Sequence, residues 1–191
     1  MPFTKTSYYQ EKISKQQLLQ ETVREIEFEE CEFVDCSFVQ CKFEKCSFIT
    51  CTFQSSMLSA IVPTDSRFVD VRFNKCKVIG FDWTKAHHIQ DIHFTDCQLN
   101  YSNFRMLKLP KMEMSDCEAK ELDFTETHLT EANLSGTDFE RSIFLKTILT
   151  KANFTGAKNY SIDARNNTIR KAKFSLPEAL SLLDCFDVVI E

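Results

Sequence analysis

Phe28, Phe33, Phe38, Phe43, Phe48 and Phe53 follow one another at intervals of five residues. Each has a small or apolar residue two places before it: Ile26, Cys31, Cys36, Cys41, Cys46 and Cys51. A helix repeats every 3.6 residues and a strand every 2, so neither puts one large apolar side chain on the same side every five residues. A fixed short period instead specifies a repeat architecture, in which each unit is buried by stacking on others.

The period has two registers. The first continues from Phe53 through Leu58, Pro63, Phe68, Phe73, Val78 and Trp83. After a slip of one residue in 84–88, the second runs from Ile89, Phe94, Leu99 and Phe104 through Leu109, Met114, Ala119 and Phe124 to Phe154. It continues, degraded, through Asn159, Ala164 and Ile169 to Phe174. Of the 18 Phe, 15 lie at these centres, which excludes a chance pattern. The positions two residues before the centres are mostly Cys, Ser, Thr or Ala. A large residue alternating with a small one suits a narrow interior with no room for two bulky side chains per unit. The remaining positions are mostly polar and face solvent.

The units Ala132-Asn133-Leu134-Ser135-Gly136 and Ala152-Asn153-Phe154-Thr155-Gly156 resemble the A-(D/N)-L-x-x consensus of the pentapeptide-repeat family, and the Cys-x-Phe units of 31–53 resemble its Cys/Phe variant. The resemblance covers roughly residues 23–174. It implies an all-β fold, a right-handed quadrilateral β-helix with four units per coil. At a strand spacing of about 4.8 Å, the rod would be on the order of 36 Å long. The expected organisation is an N-terminal cap over 1–22, the solenoid over 23–174 with its slip near 84–88, and a C-terminal helix and tail over 175–191. The cap is expected to be helical or irregular, because 12–22 lack the small inward residue.

Eight of the nine cysteines (31, 36, 41, 46, 51, 76, 97 and 117) occupy the small inward position. Five-residue spacing sends successive thiols to different sides of the column, whereas a zinc site gathers four ligands at one point. They read as core residues. His87 and His88 read as exposed corner residues, since adjacent side chains seldom converge on one ion. Three glycines leave no Gly-rich phosphate loop, no HExxH is present, and a narrow solenoid has no interior pocket. The chain therefore reads as neither an enzyme nor a cofactor-binding protein. No apolar stretch approaches a membrane span, and the first residues lack a secretory signal pattern, so a cytoplasmic protein is expected.

Ser175-Leu176-Pro177-Glu178 has capping-box spacing, and Leu176, Leu180 and Leu183 follow at helical spacing. With Phe186, Val188, Val189 and Ile190 in the tail, they form a candidate homodimer interface. In the quinolone-resistance (Qnr-type) branch, which this segment resembles, a helix and tail after the last coil join two rods.

The net charge is −5, unevenly spread. Residues 112–140 hold nine acids and, of Lys and Arg, only Lys120. With residue i stacked on i+20, Glu121 meets Arg141, Glu126 meets Lys146, and Glu131 meets Lys151, but Glu118 meets Asp138. Glu118, Glu121, Asp123, Asp138 and Glu140 thus form a candidate partner-binding face with an uncompensated acidic column. The Qnr-type resemblance implies a DNA mimic that binds a type II topoisomerase, DNA gyrase or topoisomerase IV, and modulates or protects it. The alternative is a general protein-interaction scaffold. Direct nucleic-acid binding is disfavoured by the acidic balance.

Overall fold

The computed structural model describes residues 3–186 and 188. The chain winds into a parallel-strand β-solenoid of about eight turns. Phe28 pairs with Phe48, Phe33 with Phe53 and Phe38 with Leu58, each 20 residues apart on stacked coils. The four faces are named here by Phe28, Phe33, Phe38 and Phe43. Their central side chains fill one continuous core, and the rings stack along the axis, as in Phe28–Phe48–Phe68 at centroid distances of 5.1 and 5.0 Å.

Most units turn through a residue with positive φ, two places after the centre. Gln40, Lys45 and Thr50, with φ of 53°, 53° and 51°, are typical. The left-handed region is costly for residues with a Cβ. What holds it is the backbone ladder: the N–H of Gln40 donates to Ser59 C=O at 2.8 Å, and that of Lys45 to Thr64 C=O at 2.9 Å.

The small inward residue does more than leave space. Its thiol or hydroxyl donates to the carbonyl of a central residue on the preceding coil: Cys51 to Phe28, Ser66 to Phe43, Thr137 to Met114 and Thr147 to Phe124. In many units it also accepts an N–H, as Thr137 Oγ1 does from Cys117 at 3.3 Å. Burial pushes the thiol pKa values up, to about 11 at Cys46 and about 12 at Cys51, as expected for inert core thiols.

This hydrogen bond explains a correction at the N-terminus. The strands Ser7–Tyr9, Lys12–Ser14, Gln17–Leu19 and Thr22–Arg24 form a complete first coil, so the solenoid begins well before residue 23, and no helical or irregular cap occupies 12–22. The first coil has no preceding coil whose carbonyls need donors. Thr6, Glu11, Gln16 and Glu21 can therefore stand where later coils have Cys or Ser. Phe3 covers the end, edge-on to Tyr8 and Phe28.

The slip is confined to one corner. Phe68 pairs with Ile89 and Phe73 with Phe94, 21 residues apart, and later coils return to 20. The extra residue is absorbed in a 3-10 turn, Trp83–Lys85, where Lys85 N–H donates to Asp82 C=O. On the ladder pattern, a residue at position 63 would supply its N–H to that carbonyl. Pro63 has none to give, which frees Asp82 C=O for the turn. Phe81 takes a small-residue position and stacks on Trp83 at 3.9 Å, while small Ser102 in the next coil leaves room for it and accepts its N–H. His87 and His88 are exposed.

Toward the C-terminus the expected centre Asn159 is exposed, and Tyr160 and Ile162 fill the core instead. Glu178–Phe186 form a 3-10 helix. The capping box does not form, because the Ser175 hydroxyl accepts the Gly156 N–H of the neighbouring coil. No helix among the described residues is long and apolar enough to cross a membrane.

Thr137→Val tests the role of the inward hydroxyl. Thr137 is fully buried, and valine keeps its shape while removing the N–H bond from Cys117 and the shared donation to the Met114 and Ser135 carbonyls. Where the next coil offers alanine, the N–H turns back onto its own turn, as Ala132 N–H does onto Leu129 C=O. Cys117 N–H can do the same onto Met114 C=O. The expected cost in urea denaturation is about 1 kcal/mol, the low end of the range for a broken buried bond. A neutral result would show that the hydroxyl only fills space.

Candidate partner-binding surfaces

Glu118 and Asp138 lie just before centres Ala119 and Phe139, in one bridge-paired column of the Phe38 face. Glu140 follows Phe139 on the same face, Glu121 sits at the next corner, and Asp123 lies on the Phe43 face. The structure brings the five together, but it does not leave them uncompensated. Lys120 Nζ lies 3.0 Å from Glu140 and 4.0 Å from Asp138, and Lys158 Nζ lies 3.9 Å from Asp138. Asn159 also donates to Asp138 at 2.7 Å, and Asn100 to Glu118 at 2.6 Å. Arg105 meets Asp123 at 3.5 Å. The hydrogen bond to Glu140 raises the Lys120 pKa. The expectation of an uncompensated Glu118–Asp138 column is therefore corrected. Lys120 reaches it diagonally, and Lys158 is the next residue up in the same column.

The ladders form as the 20-residue rule requires: Glu121–Arg141 at 3.5 Å, Glu126–Lys146 at 3.4 Å and Glu131–Lys151 at 2.6 Å. Being exposed, each contributes roughly 0–1 kcal/mol.

Two acids that the sequence reading did not single out complete the surface. Asp96 and Asp116 stack at the corner between the Phe33 and Phe38 faces, and neither forms an ion pair among the described residues. The Asp116 carboxylate occupies the space beside Gly136, where a Cβ would collide with it. Asp96 and Asp116 on one rim, and Glu118 and Asp138 on the other, flank a groove of about 490 Å³ along the rod axis. The signal was in the sequence as a 20-residue repeat of Asp before Cys, at Asp96-Cys97 and Asp116-Cys117.

The candidate dimer residues Leu176, Leu180, Leu183, Phe186 and Val188 are exposed, Leu176 by 75%. Leu182 packs against the core, so the segment covers the last coil while turning an apolar side outward. Val189 and Ile190 lie outside the described residues. Ile143 and Leu145 on the seventh coil and Ile148 on the eighth add further exposed apolar surface.

The model of the pentapeptide repeat region matches residues 26–104, and that of pentapeptide repeats in eight copies matches 120–158, together more than half of the chain. The chain belongs to the pentapeptide-repeat family. Among solved pentapeptide-repeat structures, it is similar to two trypsin-treated variants of QnrB1, described as a plasmid-mediated fluoroquinolone resistance protein. One has a TM-score of 0.77 at 18% identity, covering 98% of this chain and 100% of that one. The other has a TM-score of 0.75 at 19% identity, covering 97% of each. Full-length QnrB1 gives 0.53 at 16% identity. At these identities the likeness shows the fold. A comparison with curated protein sequences finds no match. The rod shares the fold of these QnrB1 structures.

Proposed function

We propose that this rod binds a type II topoisomerase, DNA gyrase or topoisomerase IV, as a DNA-shaped acidic ligand, and modulates or protects the enzyme. The observation that carries the reading is the pair of carboxylate rows, Asp96–Asp116 and Glu118–Asp138, held at coil spacing on either side of an axial groove. A duplex presents two phosphate rows in the same manner, with one charge per about 1.7 Å of axis. The protein rows are sparser, at one carboxylate per coil on each rim, so the imitation is of shape and sign. The likeness to QnrB1 supports the same reading. A cytoplasmic homodimer joined through 175–191 belongs to it, since two rods end to end would double the length of acidic surface. The protein acts by binding and needs no cofactor.

The general scaffold reading is favoured by one observation, the Lys120 and Lys158 contacts that partly neutralise Asp138. A supercoiling assay with purified gyrase, with and without a fluoroquinolone, separates the two. The wild type is expected to alter supercoiling or drug-induced cleavage at micromolar concentration. Reversing Asp116 and Glu118 to lysine together should abolish the effect, and reversing Glu131, on a laddered corner elsewhere, should not. No effect of the wild type would leave the scaffold reading. Sedimentation of the full chain, and of a chain ending at Phe174, tests the dimer. A full chain already sedimenting as a monomer would reduce 175–191 to a cap.

A further inference from the structure

The Phe28 face lies opposite the acidic Phe38 face, since each coil passes the four faces in turn. On it, the residue just before the centre is Arg67, His88, Lys108 and His128 on four successive coils. Arg67 pairs with His88, and Lys108 with His128, so these side chains stand in one outward column. Near the C-terminal end the charge moves past Ile148 to Arg170, just after the centre Ile169, and to Lys151 and Lys171 at the adjoining corner.

Arg67, Lys108, Arg170 and Lys171 are exposed and form no ion pair among the described residues. Beside the later coils of this face the acids are already engaged. Asp91 accepts from the Gln90 amide at 3.1 Å, Glu126 meets Lys146 at 3.4 Å, and Glu131 meets Lys151 at 2.6 Å. Lys171 stands one coil above Lys151, and like charges directly opposite across strands oppose pairing. These bases therefore do nothing to hold the coils together. The last corner also offers a backbone donor. On lower coils the corner N–H donates to the coil above, as Glu131 does to Thr150 C=O and Lys151 to Arg170 C=O, both at 2.9 Å. The Lys171 N–H has no acceptor among the described residues.

We propose that the Phe28 face binds the sugar–phosphate backbone of duplex DNA. From Arg67 to Arg170 the bases extend over about 24 Å of the rod, at about 4.8 Å per coil. One strand of a duplex presents about seven phosphates over that length. A small anion would use one or two of the bases, whereas a regularly charged polymer uses the row. The acidic balance of the whole chain does not oppose this, because the distribution of charge sets the electrostatic footprint. Opposed sheets pack about 10 Å apart, and outward side chains add to that separation. The acids of the Phe38 face thus lie beyond the screening length of about 8 Å at physiological ionic strength. The basic face is separate from the acidic groove, so DNA binding here does not require a topoisomerase. Where the groove takes one, the rod would join enzyme and DNA through opposite faces.

The test is fluorescence anisotropy of a short labelled duplex titrated with the full-length protein across a salt series, with no enzyme present. The wild type should bind at low salt, and log K should fall with log salt by about 0.9 per phosphate engaged, for a slope of about −3 or steeper. Lys108→Gln, Arg170→Gln and Lys171→Gln should each weaken binding alike for unrelated sequences and flatten the slope by about 0.9. Glutamine already occupies left-handed corners at Gln20 and Gln40, so circular dichroism should report an intact rod for Lys171→Gln. Lys15→Gln removes an exposed base at the corner between the Phe33 and Phe38 faces and should change neither affinity nor slope. No salt-dependent binding by the wild type, or an undiminished slope with all three bases replaced, would overturn the proposal. So would binding to phosphatidylserine vesicles in preference to the duplex. Because gyrase is absent, failure here leaves the supercoiling result untouched.

Discussion

Phe48→Ala is expected to destabilise the rod by about 3–5 kcal/mol, measured by urea denaturation followed by circular dichroism. Phe48 is 1% exposed and sits mid-column. Its ring stacks between Phe28 and Phe68, at 5.1 and 5.0 Å, and meets Phe33, Phe43 and Phe53 edge-on or tilted. Truncation removes the transfer energy of one ring and leaves a cavity. The cavity cannot close easily, because the neighbouring rings hang from coils whose spacing is fixed by the backbone ladder: Ser47 N–H donates to Ile26 C=O, and Arg67 N–H to Cys46 C=O. Phe48→Leu creates the pairing that Phe38 and Leu58 already make on another face and should lose less than about 1.5 kcal/mol. A loss below about 1 kcal/mol for alanine would mean that the coils collapse onto the gap, against a spacing fixed by hydrogen bonds.

Gln40→Pro should cost about 3 kcal/mol or more, enough to split the unfolding of the first coils from that of the rest. Gln40 has φ of 53°, and proline holds φ near −65°, so the corner cannot form around it. The substitution also removes the 2.8 Å bond from Gln40 N–H to Ser59 C=O. Thr130→Pro provides the comparison. Thr130 lies one coil beyond Pro110, one residue before the left-handed corner, and it appears in the backbone ladder only as an acceptor, of Lys111 N–H. That variant should lose less than about 1 kcal/mol. Equal losses from the two would show that proline acts through general stiffening and not through the sign of φ.

The period of five made the core legible, because one large side chain per unit is a signal of size alone. Phe28 through Phe154 lie buried where that signal puts them. The limits of the solenoid were harder to read, because the second signal was taken as a matter of size when it is also one of donors. Glu11 and Gln16 look wrong for a coil until it is seen that the first coil has no carbonyls to satisfy. At the other end, the step from Asn159 to Tyr160 is a local choice between two adjacent side chains, and burial of the aromatic ring decides it. On the candidate face, vertical stacking correctly paired Glu121, Glu126 and Glu131 with their bases. It missed the diagonal reach of Lys120, a long flexible side chain that no column rule places. The pairing of Lys158 with Asp138 followed from the same arithmetic but was masked by the repulsive Glu118 below it.

The one-corner insertion at Trp83–Lys85 makes the rod a ruler with discrete graduations. Because the bulge leaves every later coil in register, Phe94 over Phe73 and Met114 over Phe94, whole coils can be added or removed between the two ends without rotating any face. Length then changes in steps of about 4.8 Å, while the corner and rim residues keep their orientation. Such a chain can be retuned to the span of a partner's groove by gain or loss of single coils, a coarse adjustment that a globular core does not permit.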